Sequence, residues 1–536
     1  MHQHRAGELT ARDRWHCRRV SSIARVVGVL SACLLLLSAG SLLVGCASVP
    51  KDYPRTTSSA FPDHASTAIG DYVAKAAARH PGESGFALIR YGRPAFTDRL
   101  ALSDAAEQTI DAQYYIWEPD ATGRLLAERL LRAADRGVRV RLLLDDISFK
   151  GRDAVIAALD THPNIDIRMF NPFAHRGSRG LDFVTDFKRV NHRMHNKLLV
   201  VDNALAIVGG RNIGDHYFGV HTEAIFRDLD VATGGPLVRE ISSVFDHFFN
   251  GDWAVPISAL VERPYTDQDL AAARATLRER IATDNYPYPV DQDVAEFKAA
   301  LKSEIDSFVW APGGIVWDDP AEIAAAGGTS RMLEGLHRRL GSLETDLLIE
   351  SPYFVPRDRG IRRAKELKDK GVRIRVLTNS LASNDVLAAH AGYADRRKQV
   401  LESGVELYEL RADAGVIKKR LAFFGAKAAL HAKVIVFDRK DIFVGSFNLD
   451  PRSADINTEA GLYVESPELA AQVVAWMDEG VQPENSYRVL LDDDGKLSWV
   501  TRDDGKQVIY HEDPESTAWQ RFMAGLIGIL PVEGQL

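Results

Sequence analysis

The chain has 536 residues, 46% hydrophobic and 26% charged, which is typical of a folded globular protein and excludes a disordered or collagen-like chain. Its formal net charge is −8 with no block of like charge, which argues against a nucleic-acid binder. The cysteines, Cys17, Cys33 and Cys46, all lie near the N-terminus, so the body has neither a disulfide framework nor a cysteine-rich metal site.

The first 45 residues have the pattern of a secretion signal. Six arginines precede the uncharged residues 26–50, and this stretch contains Leu43-Val44-Gly45-Cys46, which resembles the lipobox of bacterial lipoproteins. That resemblance implies cleavage before Cys46 and lipidation of its thiol, in a protein that faces the periplasm. Because Ala47 follows the cysteine, we expect the outer membrane. The alternative is an uncleaved membrane anchor, since about 20 apolar residues span a bilayer. Cleavage would leave a net charge of −12, because the leader carries +4.

The body of the chain is an internal duplication. A β-rich run, a helical pattern and a second β-rich run occupy residues 113–146, and the same order returns at residues 347–380. Gly137 and Gly371 end the two helical patterns at equivalent places. Strand–helix–strand units predict parallel strands with crossover helices, hence two similar α/β lobes. The predicted divisions are signal peptide 1–45, tether 46–80, lobe 81–260, linker 261–330, lobe 331–490 and C-terminal extension 491–536.

Each half contains one copy of a polar motif, within residues 189–216 and 425–452. Both copies read H-x-K-x4-D followed by G-[GS]-x-N, and every matched pair is separated by the same offset along the chain. A single copy would be weak evidence, but two copies at one offset are strong. The motif residues are His195, Lys197, Asp202, Gly210 and Asn212 in the first half, and His431, Lys433, Asp438, Ser446 and Asn448 in the second.

The spacing predicts one shared site for phosphodiester chemistry. Histidine and lysine two residues apart point to the same side of a strand, and the apolar residues that follow predict a buried strand. Lysines and asparagines can stabilise charge on a phosphoryl group. One histidine can form a phosphohistidine while the other acts as general acid and base. This chemistry requires no cofactor or metal. Gly210, Asn212, Ser446 and Asn448 are predicted to bind substrate.

Each histidine is expected to need a carboxylate that orients it. In the second half the candidate is Glu459, which follows His431 in the stretch NTEAG. In the first half Asp228 is the counterpart by its surroundings, with Asp230 as the alternative, whereas Glu223 has the matching spacing but a poorer context. The motif aspartates, Asp202 and Asp438, belong to the predicted catalytic set, but bracing a turn is the favoured role for both, because aspartate is a preferred turn residue.

Two other chemistries have little support in the sequence. A zinc site would have to use the neighbouring histidines His192, His195 and His216, without a cysteine or an H-E-x-x-H pattern. A serine hydrolase would need a G-x-S-x-G nucleophile elbow, and this sequence has none.

The doubled motif resembles the phospholipase D superfamily. Longer stretches, including NHRMHNK, VGGRNIGDHYF and GSFNLDPRS, are similar to the bacterial cardiolipin synthase C group from about residue 80 to the end. The resemblance implies a phospholipase D fold, in which two duplicated α/β lobes with mixed sheets enclose one site. It also implies transfer of a phosphatidyl group between membrane phospholipids, phosphatidylglycerol and possibly phosphatidylethanolamine. By the resemblance, His195 is the nucleophile and His431 the general acid and base. The protein is expected to act as a monomer, because both motifs lie in one chain.

Several alternatives stay open at this stage. A phospholipase D hydrolase would release phosphatidic acid, and the same superfamily also contains nucleases, although a negative net charge disfavours nucleic acid. The third alternative is a non-catalytic lipoprotein that binds lipid. The apolar residues 522–530 predict either an interfacial helix or a helix packed on the second lobe. Phe423 and Phe424 predict core packing, or the lining of an acyl channel.

Overall fold

Two large mixed β-sheets, one from each half of the sequence, form the framework. The computed structural model describes residues 48–62, 64–220, 223–325, 330–415 and 426–528. Cys46, Phe423, Phe424 and the end of the C-terminal apolar run lie outside the described residues. Strands β1–β10 are Ser84–Ile89, Thr109–Tyr114, Arg139–Asp145, Ile165–Phe170, Leu198–Val201, Leu205–Gly209, Ala224–Arg227, Asp230–Gly234, Ala254–Pro256 and Val309–Ala311. Strands β11–β21 are Gly313–Trp317, Asp346–Glu350, Arg373–Asn379, Glu406–Leu410, Lys427–Leu430, Val434–Phe437, Asp441–Gly445, Ala460–Glu465, Ser486–Leu491, Leu497–Asp503 and Lys506–Tyr510.

The two sheets repeat the same strand order. The first runs β10-β1-β8-β6-β5-β2-β3-β4-β9 and the second β11-β18-β17-β16-β12-β13-β14-β19-β20-β21. In each sheet three neighbouring strands are parallel, β2-β3-β4 and β12-β13-β14, and the flanking pairs are antiparallel. The predicted α/β duplication with mixed sheets is confirmed. Strands β7 and β15 form a separate parallel pair that joins the halves.

Helices cover the sheets and connect their strands. The helices within residues 68–306 are Ala68–Ala77, Gly92–Ala105, Ala121–Asp135, Asp153–Asp160, Asp182–Thr185, Phe187–Val190, Asp215–Phe218, Pro236–Asn250, Asp267–Thr283 and Val294–Asp306. Those of the second half are Pro320–Ala324, Arg331–Gly341, Asp358–Asp369, Leu387–Glu402, Pro451–Asp455, Pro467–Gly480 and Ala518–Gly528. Gly137 and Gly371 follow the crossover helices with φ of +95° and +89°, a conformation that favours glycine.

One hydrophobic core is shared by both halves. It combines apolar residues of the first sheet, such as Val208 and Val231, with their counterparts in the second, such as Val444 and Leu462. The helices Pro236–Asn250 and Pro467–Gly480 add Phe245 and other large side chains to it. Strands β6 and β8 of the first sheet contact β17 and β18 of the second, and this apolar packing fixes the motif of one half relative to the other.

The predicted linker contributes to both sheets. Helices Asp267–Thr283 and Val294–Asp306 pack on the first half, where Asp284 pairs with Arg124. Strand β10 extends the first sheet, and β11 joins the second after a single intervening residue, Pro312. The C-terminal extension adds β20, β21 and the helix Ala518–Gly528, which packs beside the helix Leu387–Glu402.

Candidate active site

The motif histidines and lysines lie just before the strands on which the sequence placed them. Strands β5 and β16 begin at Leu198 and Val434, so the H-x-K residues form the extended segment that leads into each strand. The strands themselves are fully buried, as their four apolar residues predict. The ladder thus starts three residues after each histidine and one after each lysine, yet the strands still anchor the polar residues in a buried position.

Parallel pairing across the halves sets the geometry of the site. Met194 forms a parallel bridge with Thr458, and the next residues along the two segments are His195 and Glu459. Leu430 pairs with Arg227 in the parallel ladder of β15 and β7. The residues that follow this pair are His431 and Asp228. The same local register therefore occurs twice, related by an approximate two-fold exchange of the halves.

Each histidine consequently contacts the carboxylate of the opposite half. His195 Nδ1 lies 2.9 Å from Glu459 Oε2, and His431 Nδ1 lies 2.6 Å from Asp228 Oδ2. The sequence suggested that each histidine uses the carboxylate that follows it in its own half. That partner is wrong, because the segments that pair come from different halves. A carboxylate oxygen is an acceptor, so each Nδ1 carries the hydrogen and each Nε2 is left to react.

The other two carboxylates considered in the first half contact neither histidine. Asp230 pairs with the buried guanidinium of Arg99, 2.8 Å away, and also faces Arg211. Glu223 is exposed. Asp228, the residue chosen by its sequence surroundings, is thus the first-half carboxylate at the site.

Gly210 and Ser446, predicted to bind substrate, instead support the two carboxylates. A side chain at Gly210 would place its Cβ 2.2 Å from Asp228 Oδ1, so only glycine leaves room for that carboxylate. At the matching position the Ser446 hydroxyl donates to Glu459, and the Ser446 carbonyl lies 3.1 Å from His195 Nδ1. The G-[GS] pair of the motif therefore supports the carboxylate that orients each histidine, and its predicted substrate contact stays a prediction.

The two asparagines of the motif have different surroundings. Asn212 Oδ1 accepts from the Ile116 amide at 3.1 Å, and its Nδ2 donates to the Tyr217 hydroxyl at 2.8 Å. This amide braces the first half, and its predicted substrate role stays a prediction. Asn448 Oδ1 is buried and has no hydrogen-bond partner in the described part of the chain. Of the two predicted amides, Asn448 is the one with a polar atom still available to a substrate.

Burial and positive charge depress the basicity of the site. Burial, followed by the nearby ammonium groups of Lys197 and Lys433, lowers the pKa of both histidines well below its ordinary value. Burial likewise lowers the pKa of Lys197 well below its ordinary value and that of Lys433 to about 8, and it raises the pKa of Glu459 to about 7. Each lysine Nζ donates to the carbonyl of its own motif histidine. Neutral imidazoles beside two ammonium groups suit attack on an anionic phosphodiester.

The activity should be bell-shaped in pH. As the pH falls through about 7, Glu459 takes up a proton and no longer accepts from His195 Nδ1. As the pH rises through about 8, Lys433 loses its proton and with it the charge that faces the phosphoryl group. We expect kcat/KM to fall on both sides of this interval, as measured by initial rates over a pH series in constant ionic strength. A rate that keeps rising to about pH 10 would contradict the role of the Lys433 ammonium.

The motif aspartates brace turns, which is the role that the sequence favoured for them over chemistry. Asp202 accepts from the backbone amides of Glu107, Gln108 and Thr109, at 2.8–3.2 Å. Asp438 accepts from three consecutive amides, residues 344–346, in the same way. Both residues have positive φ, +54° and +49°, at the ends of β5 and β16 remote from the histidines. Leaving such amides without an acceptor would cost about 1–3 kcal/mol, so the aspartates stabilise the turns.

Aromatic residues that the motif did not include surround the imidazoles. The Tyr115 ring meets His195 edge-on at a centroid distance of 4.9 Å. Phe226 stacks on His431 at 5.0 Å, and Tyr217 meets that ring edge-on at 5.1 Å. Tyr115 lies in QYYIW, Tyr217 in HYF and Phe226 in FRD. Their only sequence signal is that aromatic residues stand close to the polar segments of the site. These rings cover part of each imidazole.

The three histidines considered for a zinc site, His192, His195 and His216, do not point to one common position. His192 Nδ1 lies 2.8 Å from the Ile456 carbonyl oxygen, and His216 meets Phe226 edge-on at 4.9 Å. Within the described residues, no group of three or more His, Cys, Asp or Glu side chains has the arrangement of a metal site.

Known proteins share this architecture and sequence. The family model described as "Cardiolipin synthase, PLD-like domain" matches residues 100–253 and 336–480. Cardiolipin synthase C of Escherichia coli (strain K12) is 40% identical over 460 residues, which cover 85% of this chain and 97% of that protein. Cardiolipin synthase A of Pseudomonas putida is 26% identical, over 73% of this chain and 67% of that protein.

A solved structure supports the fold independently. The crystal structure of phosphatidylserine synthase from Haemophilus influenzae Rd KW20 aligns with a TM-score of 0.50 and 14% identity, covering 76% of this chain and 90% of that one. At that identity the likeness concerns the fold alone; together with the PLD-like family model it confirms the predicted phospholipase D fold. With a model that matches both halves and a relative similar over nearly its whole length, the chain belongs to the cardiolipin synthase family of phospholipase D-like proteins.

Proposed function

We propose that the protein is a phosphatidyltransferase that makes cardiolipin from phosphatidylglycerol through a phosphohistidine. The observation that carries the proposal is the crossed pair of buried histidine–carboxylate units beside two lysines, in a chain 40% identical to a protein named cardiolipin synthase C. Each residue of this cluster has a part in a two-step displacement at phosphorus.

In the first step, His195 Nε2 attacks the phosphorus of the donor lipid. The bond from phosphorus to the headgroup oxygen breaks, and the departing glycerol oxygen takes a proton from His431 Nε2. Glu459 and Asp228 stabilise the positive charge that appears on either imidazole. Lys197 and Lys433 stabilise the non-bridging oxygens as negative charge develops on them. The products are free glycerol and a phosphatidyl group on His195.

In the second step, the hydroxyl of a second phosphatidylglycerol gives its proton to His431 and attacks the phosphorus. The bond between phosphorus and His195 breaks, and cardiolipin leaves. With phosphatidylethanolamine as donor the same steps release ethanolamine instead of glycerol. Binding an anionic phosphodiester beside His431 also raises the pKa of its imidazole, which restores the proton that the first step requires.

Transfer requires that a lipid hydroxyl, and not water, reaches the intermediate. Tyr115, Tyr217 and Phe226 cover the imidazoles, and the histidines and lysines are themselves buried. A site of this kind limits water and lets a bound acceptor compete through its high effective concentration.

Product analysis tests the proposal. Vesicles of phosphatidylglycerol, alone and with phosphatidylethanolamine, are incubated with the protein and with His195→Ala, and lipids are quantified by mass spectrometry. Cardiolipin should be the main phosphatidyl product of the unmodified protein only. Phosphatidic acid as the main product at high acceptor lipid would make the protein a hydrolase. Cleavage of DNA with neither lipid consumed would make it a nuclease.

We also propose that the chain acts at a membrane surface, as a single polypeptide anchored through Cys46 and facing the periplasm at the outer membrane. Phospholipid substrates require a membrane. The helix Ala518–Gly528 supports such contact, because Trp519, Phe522 and Leu526 lie on one exposed face of it. Both halves of the site come from one chain, so no second copy is needed. Mass spectrometry of the native N-terminus should find an acylated Cys46, and an intact leader would contradict the anchor.

None of the helices in the described residues has both the length and the apolar composition needed to cross a bilayer.

A further inference from the structure

The second half contains an apolar cavity that the proposed reaction does not use. Its volume is about 630 Å³, in the range of roughly 300–1,000 Å³ that small-molecule sites occupy. The floor is the face of β12 and β13, with Leu347, Ile349, Ile374 and Val376. The roof is formed by the helices Arg331–Gly341 and Asp358–Asp369.

The internal duplication shows how the roof of this cavity differs from the equivalent helix of the first half. Leu126 and Leu130 stand eleven and seven residues before Gly137, and both are buried beneath their crossover helix. Eleven and seven residues before Gly371, the second half has Gly360 and Ala364, and both line the cavity. A Cβ at Gly360 would meet only the Pro356 side chain, at 3.4 Å. The loss of two leucine side chains from the roof leaves the space open.

The cavity shares a wall with the active site. Side chains alternate along the segment that follows β17. Ser446 and Asn448 belong to the catalytic cluster, whereas Phe447 and Leu449 line the cavity. Asp450 lines the cavity as well and contributes to the field at Lys433. A molecule in the cavity would therefore lie directly behind the loop that positions Glu459.

The rim of the cavity carries four arginines, although the chain as a whole is acidic; Arg357 pairs with Asp455 and Arg363 with Glu366. Residues 357–373 contain eight Lys or Arg and three Asp or Glu. Arg357, Arg359 and Arg362 are exposed at the rim. Burial, and then Arg359 and Arg363, lowers the pKa of His337, another lining residue, which reflects the local positive potential. A basic rim above an apolar interior is complementary to an anionic lipid, whose headgroup and chain differ in the same way.

We propose that this cavity binds one acyl chain of the anionic phospholipid substrate, with the basic rim at the membrane surface. The proposal rests on the proposed function for the identity of the lipid. An acyl chain held behind residues 446–450 would fix the distance between the lipid's glycerol backbone and the catalytic histidines. The second half would then discriminate between lipids by chain length as well as by headgroup.

Photo-crosslinking tests the location directly. The probe is phosphatidylglycerol with a diazirine near the end of one acyl chain, in phosphatidylethanolamine vesicles, and labelled peptides are mapped by mass spectrometry. We expect labelling of residues 333–376 and 447–455. The filled-cavity variant Gly360→Leu with Ala364→Leu, which copies the first half, should lose it. The matched control Ala275→Leu, on an exposed helix face elsewhere, should keep it. Labelling unaffected by the filling, or confined to other peptides, would overturn the proposal.

Chain-length selectivity gives a second readout. The ratio of kcat/KM for long-chain to short-chain phosphatidylglycerol should fall at least about tenfold in the filled variant, since single methylenes in apolar pockets are worth roughly that much. Filling a cavity and replacing helical glycine both favour the fold, so its thermal midpoint should not fall. An unchanged ratio would overturn the proposal.

The two proposals can fail separately. Crosslinking in the cavity without cardiolipin formation would retain the lipid site and refute the synthase. Cardiolipin formation with labelling elsewhere would retain the synthase and refute the lipid site.

Discussion

His195→Ala is expected to reduce lipid turnover to background, and His431→Ala to reduce it by about 10²–10⁴-fold or more. The first variant removes the nucleophile, so no covalent intermediate can form by any route. The second removes the group that protonates the leaving alcohol. Only this second loss can be compensated, by a substrate whose leaving group needs no proton. Rates are measured by release of glycerol and formation of cardiolipin in phosphatidylglycerol vesicles.

A substrate with a good leaving group separates the two histidines. Nitrophenolate departs from a phosphatidyl nitrophenyl ester without being protonated. His431→Ala should therefore release about one equivalent of nitrophenolate in a rapid burst and then stall, because the second step also needs a base. His195→Ala should show no burst. His247→Ala, at an exposed histidine paired with Asp319, is the control and should behave as the unmodified protein. A burst from His195→Ala and none from His431→Ala would reverse the two roles.

Glu459→Gln should behave as a weaker His195→Ala, and Asp228→Asn as a weaker His431→Ala. An amide in place of the carboxylate no longer fixes the tautomer of its histidine or stabilises the imidazolium, and such a loss costs roughly 10⁴-fold in a comparable triad. Because the contacts are crossed, each phenotype should match the histidine of the other half. The nitrophenyl ester gives the readout: a burst from Asp228→Asn, and none from Glu459→Gln.

Glu223→Gln is a suitable control for this pair. Glu223 stands at the same sequence distance from His195 as Glu459 does from His431, but it is exposed. Its substitution should change neither the burst nor the steady-state rate. If Asp228→Asn abolished the burst and Glu459→Gln preserved it, the carboxylates would act within their own halves and the crossed contacts would have no functional weight.

How well the sequence predicts each part of the site depends on how far apart in sequence the interacting residues lie. The approach of His195 to Lys197, and the buried strands behind them, depend on neighbouring residues, so alternation and apolar runs predict them. Local context also predicts Asp228. It does not predict the crossed pairing, because that is set by β7 meeting β15, two strands from opposite halves of the sequence. Equivalent strands of a duplicated chain look alike in sequence, and nothing local says which copy each will join.

The surroundings of the motif's accessory residues also depend on contacts that are distant in sequence. Gly210 and Ser446 lie beside the histidines in the pattern, which suggested substrate contact, whereas their partners, Asp228 and Glu459, are distant in sequence. Asp202 and Asp438 recur with the motif because the turn they stabilise holds β5 and β16 in register with the neighbouring segments. A repeated residue can thus mark the scaffold of a site as readily as its chemistry.

Identification of the covalent intermediate tests the shared, crossed site most directly. His431→Ala is mixed with the phosphatidyl nitrophenyl ester and quenched in alkaline denaturant, because phosphohistidine is labile in acid, and its peptides are mapped by mass spectrometry. The phosphatidyl group should be found on His195, in an amount equal to the nitrophenolate burst, and the same adduct should appear in Asp228→Asn. An adduct on any other residue, or a burst without an adduct, would contradict the account.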